Sequence, residues 1–202
     1  MIRDSDQAKV ANMYILTLML AAMGPIQPAA GQELGCIVMR ETPHPSERPS
    51  PLDSVSFVVA GGHVKVCYGR PSARGRTMLG GEAHPFGTIW RTGANEPTMI
   101  HTDVSLEVAG VAIEPGSYSL YTVLGEREWE IIVNRSITQW GVERGYTEEV
   151  RAEEVGRGRV PSEPNASHVE TFTIRAEPVD ANSVTLVLEW EHIRVAVPIK
   201  GR

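Results

Sequence analysis

Residues 104–133 read VSLEVAGVAIEPGSYSLYTVLGEREWEIIV, and their apolar pattern predicts the fold class. Apolar residues occupy alternate positions in four short runs, which is the spacing of strands with one buried face. A glycine or a proline-glycine pair lies between successive runs and marks a tight turn. The alternation returns at 172–174, 184–190 and 193–197, and no segment after residue 40 shows a helical stripe. The sequence therefore predicts an all-β fold, a two-sheet antiparallel β-sandwich of about nine strands with little helix.

Chain length and composition limit the class of protein. The chain has 202 residues, so at about 150 residues per domain we expect one domain and an extra segment. Its 42% hydrophobic and 22% charged residues are typical of a globular chain and exclude collagen-like, coiled-coil and multi-span membrane proteins. The 19 Lys and Arg residues against 25 Asp and Glu residues give a net charge of −6. Nucleic acid is not an expected partner, because its phosphates need a basic surface.

The run at residues 13–23, MYILTLMLAAM, contains no charge. A helix of this length covers roughly 16 Å, about half of a bilayer's hydrocarbon core, and cannot span a membrane alone. With Arg3 and Lys9 before it and small residues after it, the run predicts a signal peptide over residues 1–31, cleaved before Gln32. We therefore expect an exported protein, periplasmic or extracellular, without a transmembrane segment in the mature chain. A buried core helix is the alternative.

Cys36 and Cys67 are the two cysteines, and an even count in an exported chain predicts a disulfide. A period of two places Cys67 on the strand face opposite Val64 and Val66, away from the core, where a tail that carries Cys36 can reach it. Two alternatives stay open. Leu34-Gly35-Cys36 looks like the end of a lipoprotein signal, which would make Cys36 a lipid anchor, and both thiols could also be free.

Proline content separates this N-terminal part from the strands. The segment 41–53, ETPHPSERPSPLD, has four prolines and no apolar period, which is typical of an extended linker. We therefore predict a signal peptide at 1–31, a Pro-rich linker at 32–53 and the β-sandwich domain at 54–202. Inside the domain, the strand pattern is interrupted at 69–97, 135–147 and 156–167. Long ordered loops tend to carry function, so the first and longest interruption is where we expect a site.

That first interruption concentrates positive charge in an acidic chain. Arginine offers a planar fork of donors that fits carboxylate and phosphate, so several that converge would bind an anion. The tryptophan and amide side chains nearby suit a sugar ring, with a second aromatic wall from residue 140. The predicted ligand-binding residues are Arg70, Arg74, Arg76, Trp90, Arg91, Asn95, Glu96 and Trp140. The alternative is structural, with arginines bound to the loop's own oxygens and Trp140 in the core.

Signatures of catalysis or metal binding are not found. The sequence contains no Gly-x-Ser-x-Gly, His-Glu-x-x-His or Cys-x-x-Cys motif and no phosphate-binding glycine loop. Glu82 with His84, and His101 with Asp103, have a two-residue spacing that would share a strand face. A zinc site usually takes three or four ligands, so neither pair predicts one. We predict no catalytic residue, no metal and no cofactor, and lean against an enzyme.

Several short motifs, in order along the chain, carry a family resemblance. They are YGRPS at 68–72, RGR at 74–76, WRTGANE at 90–96, PGSYSL at 115–120 and QWG at 139–141. Over residues 53–199 the chain resembles the exported bacterial family catalogued as domain of unknown function 2911. The resemblance implies export and carries no assigned activity. His84-Pro85-Phe86-Gly87 stands where the family more often has Val-Pro-Tyr-Gly, and Pro97 where Ala is usual, which argues against a family-wide catalytic role for His84.

These observations lead to one functional hypothesis and two alternatives. We predict a non-catalytic module that binds an anionic small molecule or a saccharide at the cell envelope. The first alternative is an extracellular hydrolase that uses Glu82 or Glu96 as acid or base. The second is a surface or filament subunit that assembles through exposed sheet edges. The leading hypothesis requires that the four arginines meet at one opening.

Overall fold

The fold is described from a computed structural model over residues 34–40 and 44–202. The predicted signal peptide at 1–31 and the first residues of the predicted linker lie outside these residues. In the described part of the chain, no helix has the length and apolar character that crossing a membrane requires.

The described residues form ten strands, one short α-helix and two 3-10 helices. The strands are β1 Leu52–Val59, β2 Gly62–Gly69, β3 Ile89–Trp90, β4 Thr98–Thr102, β5 Leu106–Val108, β6 Val111–Ile113, β7 Gly116–Val123, β8 Glu128–Asn134, β9 Glu154–Asp180 and β10 Ser183–Gly201. Helix α1 is Glu148–Ala152, and the 3-10 helices are Pro45–Glu47 and Glu143–Gly145. An all-β fold with little helix is confirmed.

All ten strands belong to one antiparallel sheet. Its order is β1-β2-β4-β7-β8-β9-β10-β5-β6, with β3 paired to β7, so β1 and β6 are its edge strands. Strand β9 connects the two halves, because residues 154–161 pair with β8 and residues 162–180 pair with β10. The predicted division into two separate sheets is therefore not confirmed. The edge strands are the surfaces on which the predicted self-assembly would depend.

One apolar core receives side chains from both halves of this sheet. Trp90, which ends β3, stacks on Trp190 of β10 with ring centroids 5.6 Å apart. Phe172 of β9 and Trp129 of β8 meet the ring of Trp90 edge-on at 5.1 and 6.1 Å. All four side chains are essentially buried. Aromatic rings bury a large area each, so this cluster joins the β8 half of the sheet to the β10 half.

The outer face of the sheet is covered at β7 and β8. Tyr121 and Ile132 point outward there and form a second apolar cluster with Tyr146 and Val150. Val150 belongs to α1, whose N-terminal cap is the Thr147 hydroxyl accepting from the Val150 amide at 3.4 Å. A capped turn with an inward valine explains why this short segment is helical. The loop between β8 and β9 thereby becomes a layer on the sheet.

Candidate functional site

The N-terminal strap, by which we mean residues 34–40 and 44–50, is fastened to the domain by a disulfide. The structure joins Cys36 to Cys67 of β2, with Cα atoms 5.7 Å apart. Cys67 faces away from the apolar core but is only 4% exposed, because the strap lies over it. The Cys36 sulfur that lipidation would modify is in this bond. The predicted linker therefore packs against the domain in its described residues.

A buried ion pair fastens the strap a second time. The Arg48 Nη1 atom lies 2.7 Å from Glu96 Oε2, and the two side chains are only 4% and 6% exposed. The other Glu96 oxygen accepts from the Met39 amide at 3.0 Å, and Arg48 Nη2 donates to the carbonyl of Arg40. A buried charge is tolerated when it is paired and hydrogen-bonded in this way. Both Glu96 oxygens are engaged, so the predicted acid or base has a structural role.

Two further predicted residues, Asn95 and Trp140, contact the strap, and Arg91 contacts Asn95. Asn95 donates from Nδ2 to the Ser50 carbonyl at 2.7 Å, and its own carbonyl accepts from Arg91 Nη1 at 3.4 Å. Arg91 also reaches Glu143, with Nη2 3.6 Å from Oε1. The Trp140 ring is covered by the guanidinium of the strap's Arg40, 4.2 Å from its centroid. The structure thus brings Arg91, Asn95, Glu96 and Trp140 together, around the strap.

Trp90 is a core residue, so its prediction as a ligand-binding aromatic is wrong. Its side chain has 0% exposure, and its indole Nε1 donates to the Gly93 carbonyl at 3.1 Å. The sequence motif places it beside Arg91, but β3 ends at Trp90 and the two side chains have different surroundings. Trp90 lies in the apolar core, whereas Arg91 contacts Asn95 and Glu143.

Arg70 and Arg74 bind protein oxygens in two different places. Arg70 donates to the Thr173 hydroxyl at 3.2 Å and lies 3.2 Å from the Asp53 carboxylate. Arg74 donates to the Pro49 carbonyl at 3.1 Å. Arg91 donates to the Asn95 carbonyl and lies near Glu143, so these three arginines are bound to different protein oxygens. That the four arginines bind one ligand together stays a prediction, and in the structure each guanidinium has protein partners of its own.

An open cleft lies at the remaining arginine. Its lining residues belong to one stretch of the long loop after β2 and are Arg76, Thr77, Met78, Gly81, Glu82 and Ala83. Its volume is about 570 Å³. Arg76 is oriented by its own backbone, because Nε donates to the Ala73 carbonyl at 2.9 Å and Nη2 to the Ser72 carbonyl at 3.2 Å. Among the described residues, Nη1 has no hydrogen-bond partner. The cleft therefore combines an oriented cation with an exposed carboxylate.

Residues far along the chain hold the loop that forms this cleft, which we call the cleft loop, residues 76–83. The Glu191 carboxylate of β10 accepts from the amides of Met78 and Leu79 at 3.0 and 2.8 Å. Just before the loop, the Glu170 carboxylate of β9 accepts from the Arg74 amide at 2.6 Å. Sequence reasoning missed both glutamates, because each contact is about a hundred residues distant in the chain.

Neither predicted carboxylate and histidine pair forms one site. Glu82 lines the cleft, whereas His84 packs on Trp90 with ring centroids 5.3 Å apart. Burial lowers the pKa of His84, and the nearby Glu143 carboxylate opposes this shift. His101 is bonded to Ser117 and not to Asp103. In the described residues, no group of three His, Cys, Asp or Glu side chains is arranged to hold a metal ion.

Comparison with known proteins gives one family. The model of the family described as protein of unknown function (DUF2911) matches residues 50–199. No curated protein and no solved structure shows a significant match to the chain. The matched region contains the cleft loop and Glu191, while Cys36 and Arg48 of the strap lie before it. The cleft therefore belongs to the family region of the chain.

Proposed function

The chain belongs to the DUF2911 family of proteins of unknown function, and on that premise we propose that it is an exported, non-catalytic module that binds an anionic or saccharide ligand at the cell envelope. The observation that carries the proposal is the open cleft at Arg76 and Glu82. Its volume of about 570 Å³ falls within the roughly 300–1,000 Å³ of small-molecule sites.

The groups in the cleft favour a ligand that carries both a negative charge and hydroxyl groups. The backbone orients Arg76 through two carbonyls, so its remaining donors can meet a carboxylate with little loss of side-chain freedom. Glu82 can accept from hydroxyl groups and disfavours a ligand of high negative charge. Ala83 and the small exposed part of Met78 supply apolar surface for a ring face. A sugar acid fits this combination better than a simple anion.

Three features support export. The disulfide between Cys36 and Cys67 is a bond that persists in oxidising compartments. The predicted signal peptide and the resemblance to an exported family also favour export.

We also propose that the sheet is bent into two facing layers. The long β9, shared by both halves, and the stacking of Trp90 on Trp190 support this form of the predicted sandwich.

Calorimetric titration with glucuronate, glucose and acetate tests the proposal. A hydrogen bond to a charged group contributes about 1.5–3 kcal/mol, so Arg76→Ala should weaken glucuronate binding at least tenfold. Arg74→Ala is the matched control, because Arg74 donates to Pro49 and does not line the cleft. Equal effects of the two substitutions, or no binding of any of the three probes, would overturn the proposal.

A second variant separates the two ligand classes. Glu82→Gln removes the negative charge from the cleft and keeps a hydrogen-bonding group at the same position. If the ligand is a sugar acid, we expect glucuronate to bind more tightly than acetate or glucose to the wild-type protein. Acetate binding should then improve in Glu82→Gln, since the repulsion is gone. Preference for glucose over glucuronate would assign the cleft to a neutral saccharide.

A further inference from the structure

Glu191 of β10 has a backbone conformation that residues other than glycine rarely adopt. Its φ is +52°, inside a long strand, and the pairing of β9 with β10 shifts register on both sides of it. Left-handed residues of this kind persist only where the surroundings hold them, and they concentrate at functional sites. A register shift also redirects a side chain from the regular alternation of the strand. The conformation therefore requires an explanation from what the Glu191 side chain contacts.

The carboxylate contacts two successive amides of the cleft loop. Oε1 accepts from Met78 at 3.0 Å and Oε2 from Leu79 at 2.8 Å, so both oxygens are used on adjacent peptide groups. Hydrogen bonds to a charged acceptor are among the stronger ones in proteins. Met78 lines the cleft, and Thr77 and Gly81 on either side of this contact line it as well. Glu191 thus fixes the backbone from which the cleft is made.

We propose that Glu191 is a positioning residue for the ligand cleft. Its left-handed backbone directs the carboxylate at the Met78 and Leu79 amides, and this double contact holds the loop in the shape that presents Arg76 and Glu82. The inference rests on the proposed function, since it assigns Glu191 to that cleft. It adds a residue that lies 113 positions after Met78 and does not line the cleft.

Two substitutions separate the carboxylate from the backbone conformation. Glu191→Ala and Glu191→Gly both remove the acceptor, but glycine adopts a positive φ without strain. In the full mature chain without ligand, we expect hydrogen exchange at the Met78 and Leu79 amides to be at least tenfold faster in both variants. Glu189→Ala is the control in the same strand, because Glu189 pairs with Arg175. It should leave those two amides at the wild-type rate.

Glucuronate titration of the same proteins completes the test. We expect both Glu191 variants to bind at least fivefold more weakly, with Glu191→Gly melting closer to the wild-type temperature than Glu191→Ala. Wild-type exchange in both variants, or faster exchange in the alanine variant alone, would overturn the inference. If the amides are released while wild-type protein binds none of the three probes, the positioning role stands and the proposed function fails. If Arg76→Ala loses affinity for glucuronate while Glu191→Gly keeps it, the proposed function stands and the positioning role fails.

Discussion

The strap and the cleft loop place the same two residue types in opposite situations. At the strap, Arg48 and Glu96 are paired at 2.7 Å and almost fully buried, and their remaining groups bond to backbone. At the cleft, Arg76 and Glu82 are exposed and line an open volume. Each arginine donates to two protein oxygens, so burial, and not the number of partners, makes Arg48 structural and leaves Arg76 accessible. The number of arginines in a loop does not decide this.

Substitutions at the buried ion pair and at the exposed cleft should change the stability of the protein by different amounts. A buried ion pair has lost its water, so removal of one partner leaves a charge that nothing solvates. An exposed charged group keeps its water and contributes little to stability. The strap should therefore respond to substitution by unfolding more easily, whereas the cleft should respond by losing ligand.

The largest effect is expected for Glu96→Gln, which leaves the buried Arg48 guanidinium without a counter-charge. We expect a loss of about 3–5 kcal/mol in the free energy of unfolding, measured by urea denaturation. Glu82→Gln makes the same chemical change at the exposed cleft and should cost less than about 0.5 kcal/mol. The double variant Arg48→Met with Glu96→Gln should recover part of the loss. Similar losses for the two single substitutions would contradict the distinction between strap and cleft.

The disulfide gives the next largest effect. Cys36 and Cys67 are 31 residues apart, and a crosslink that closes such a loop stabilises by about 3–4 kcal/mol in the chain-entropy treatment. The double variant Cys36→Ser with Cys67→Ser should lose about this much in urea denaturation. A reducing agent should lower the stability of the wild-type protein and leave the double variant unchanged. Glucuronate affinity should survive both treatments, because the cleft loop is held by β10. Loss of that affinity would show that the strap and the cleft are one unit.

Much of the fold could be predicted, because each strand is marked by the alternation of apolar residues within a short stretch of sequence. Alternation at residues 104–133 predicts strands, and the structure has β5 to β8 there. The same period of two placed Cys67 on the outer face. Residues 156–167 were predicted as an interruption, yet they belong to β9. Pro161 pairs with Glu128, the first residue of β8, just before β9 changes partner to β10. Pro164 pairs with Ile193, next to the register shift after Glu191. The pairing is irregular at both places, so a missing N–H is tolerated.

The site could not be predicted to the same degree, because its partners are distant in the sequence. Nothing near Arg70 indicates that Asp53 and Thr173 will take its donors. Nothing near Met78 indicates Glu191. The loop composition indicates a site within residues 69–97, and the cleft is lined by residues of this stretch. It could not separate Arg76, whose neighbours are its own backbone, from the arginines that fasten the domain.

The buried histidine His101 should make the stability of the protein depend on pH. His101 is 3% exposed, its Nδ1 is 2.8 Å from the Ser117 hydroxyl, and its Nε2 has no partner among the described residues. Burial, and then the charge of Lys65, lower the pKa of His101. The unfolded chain therefore takes up a proton first as pH falls through the ordinary histidine range, near 6.5, and the protein loses stability.

Urea denaturation of wild-type protein and His101→Gln at pH 8 and pH 5.5 measures this contribution. The wild-type protein should lose more stability between the two values than the variant does. His84, whose pKa burial also lowers, is present in both proteins, so its contribution cancels. Equal losses would show that His101 is protonated as readily in the folded protein as in the unfolded chain. Arg76→Ala should leave this difference unchanged, because Arg76 is exposed at the cleft.

The smallest effect concerns an arginine that is paired but not buried. Arg159 of β9 is 68% exposed and bridges Glu128 at 3.4 Å and Glu130 at 2.9 Å. Because water competes for these charges, Arg159→Ala should cost about 0.5 kcal/mol at low salt and almost nothing in 1 M sodium chloride. The Glu96→Gln loss should change little over the same range, since the buried pair is shielded from ions. A salt-independent cost at Arg159 would show that pairing alone makes an arginine structural. The expected result is that burial is needed as well, which is why Arg76 is free to meet a ligand and Arg48 is not.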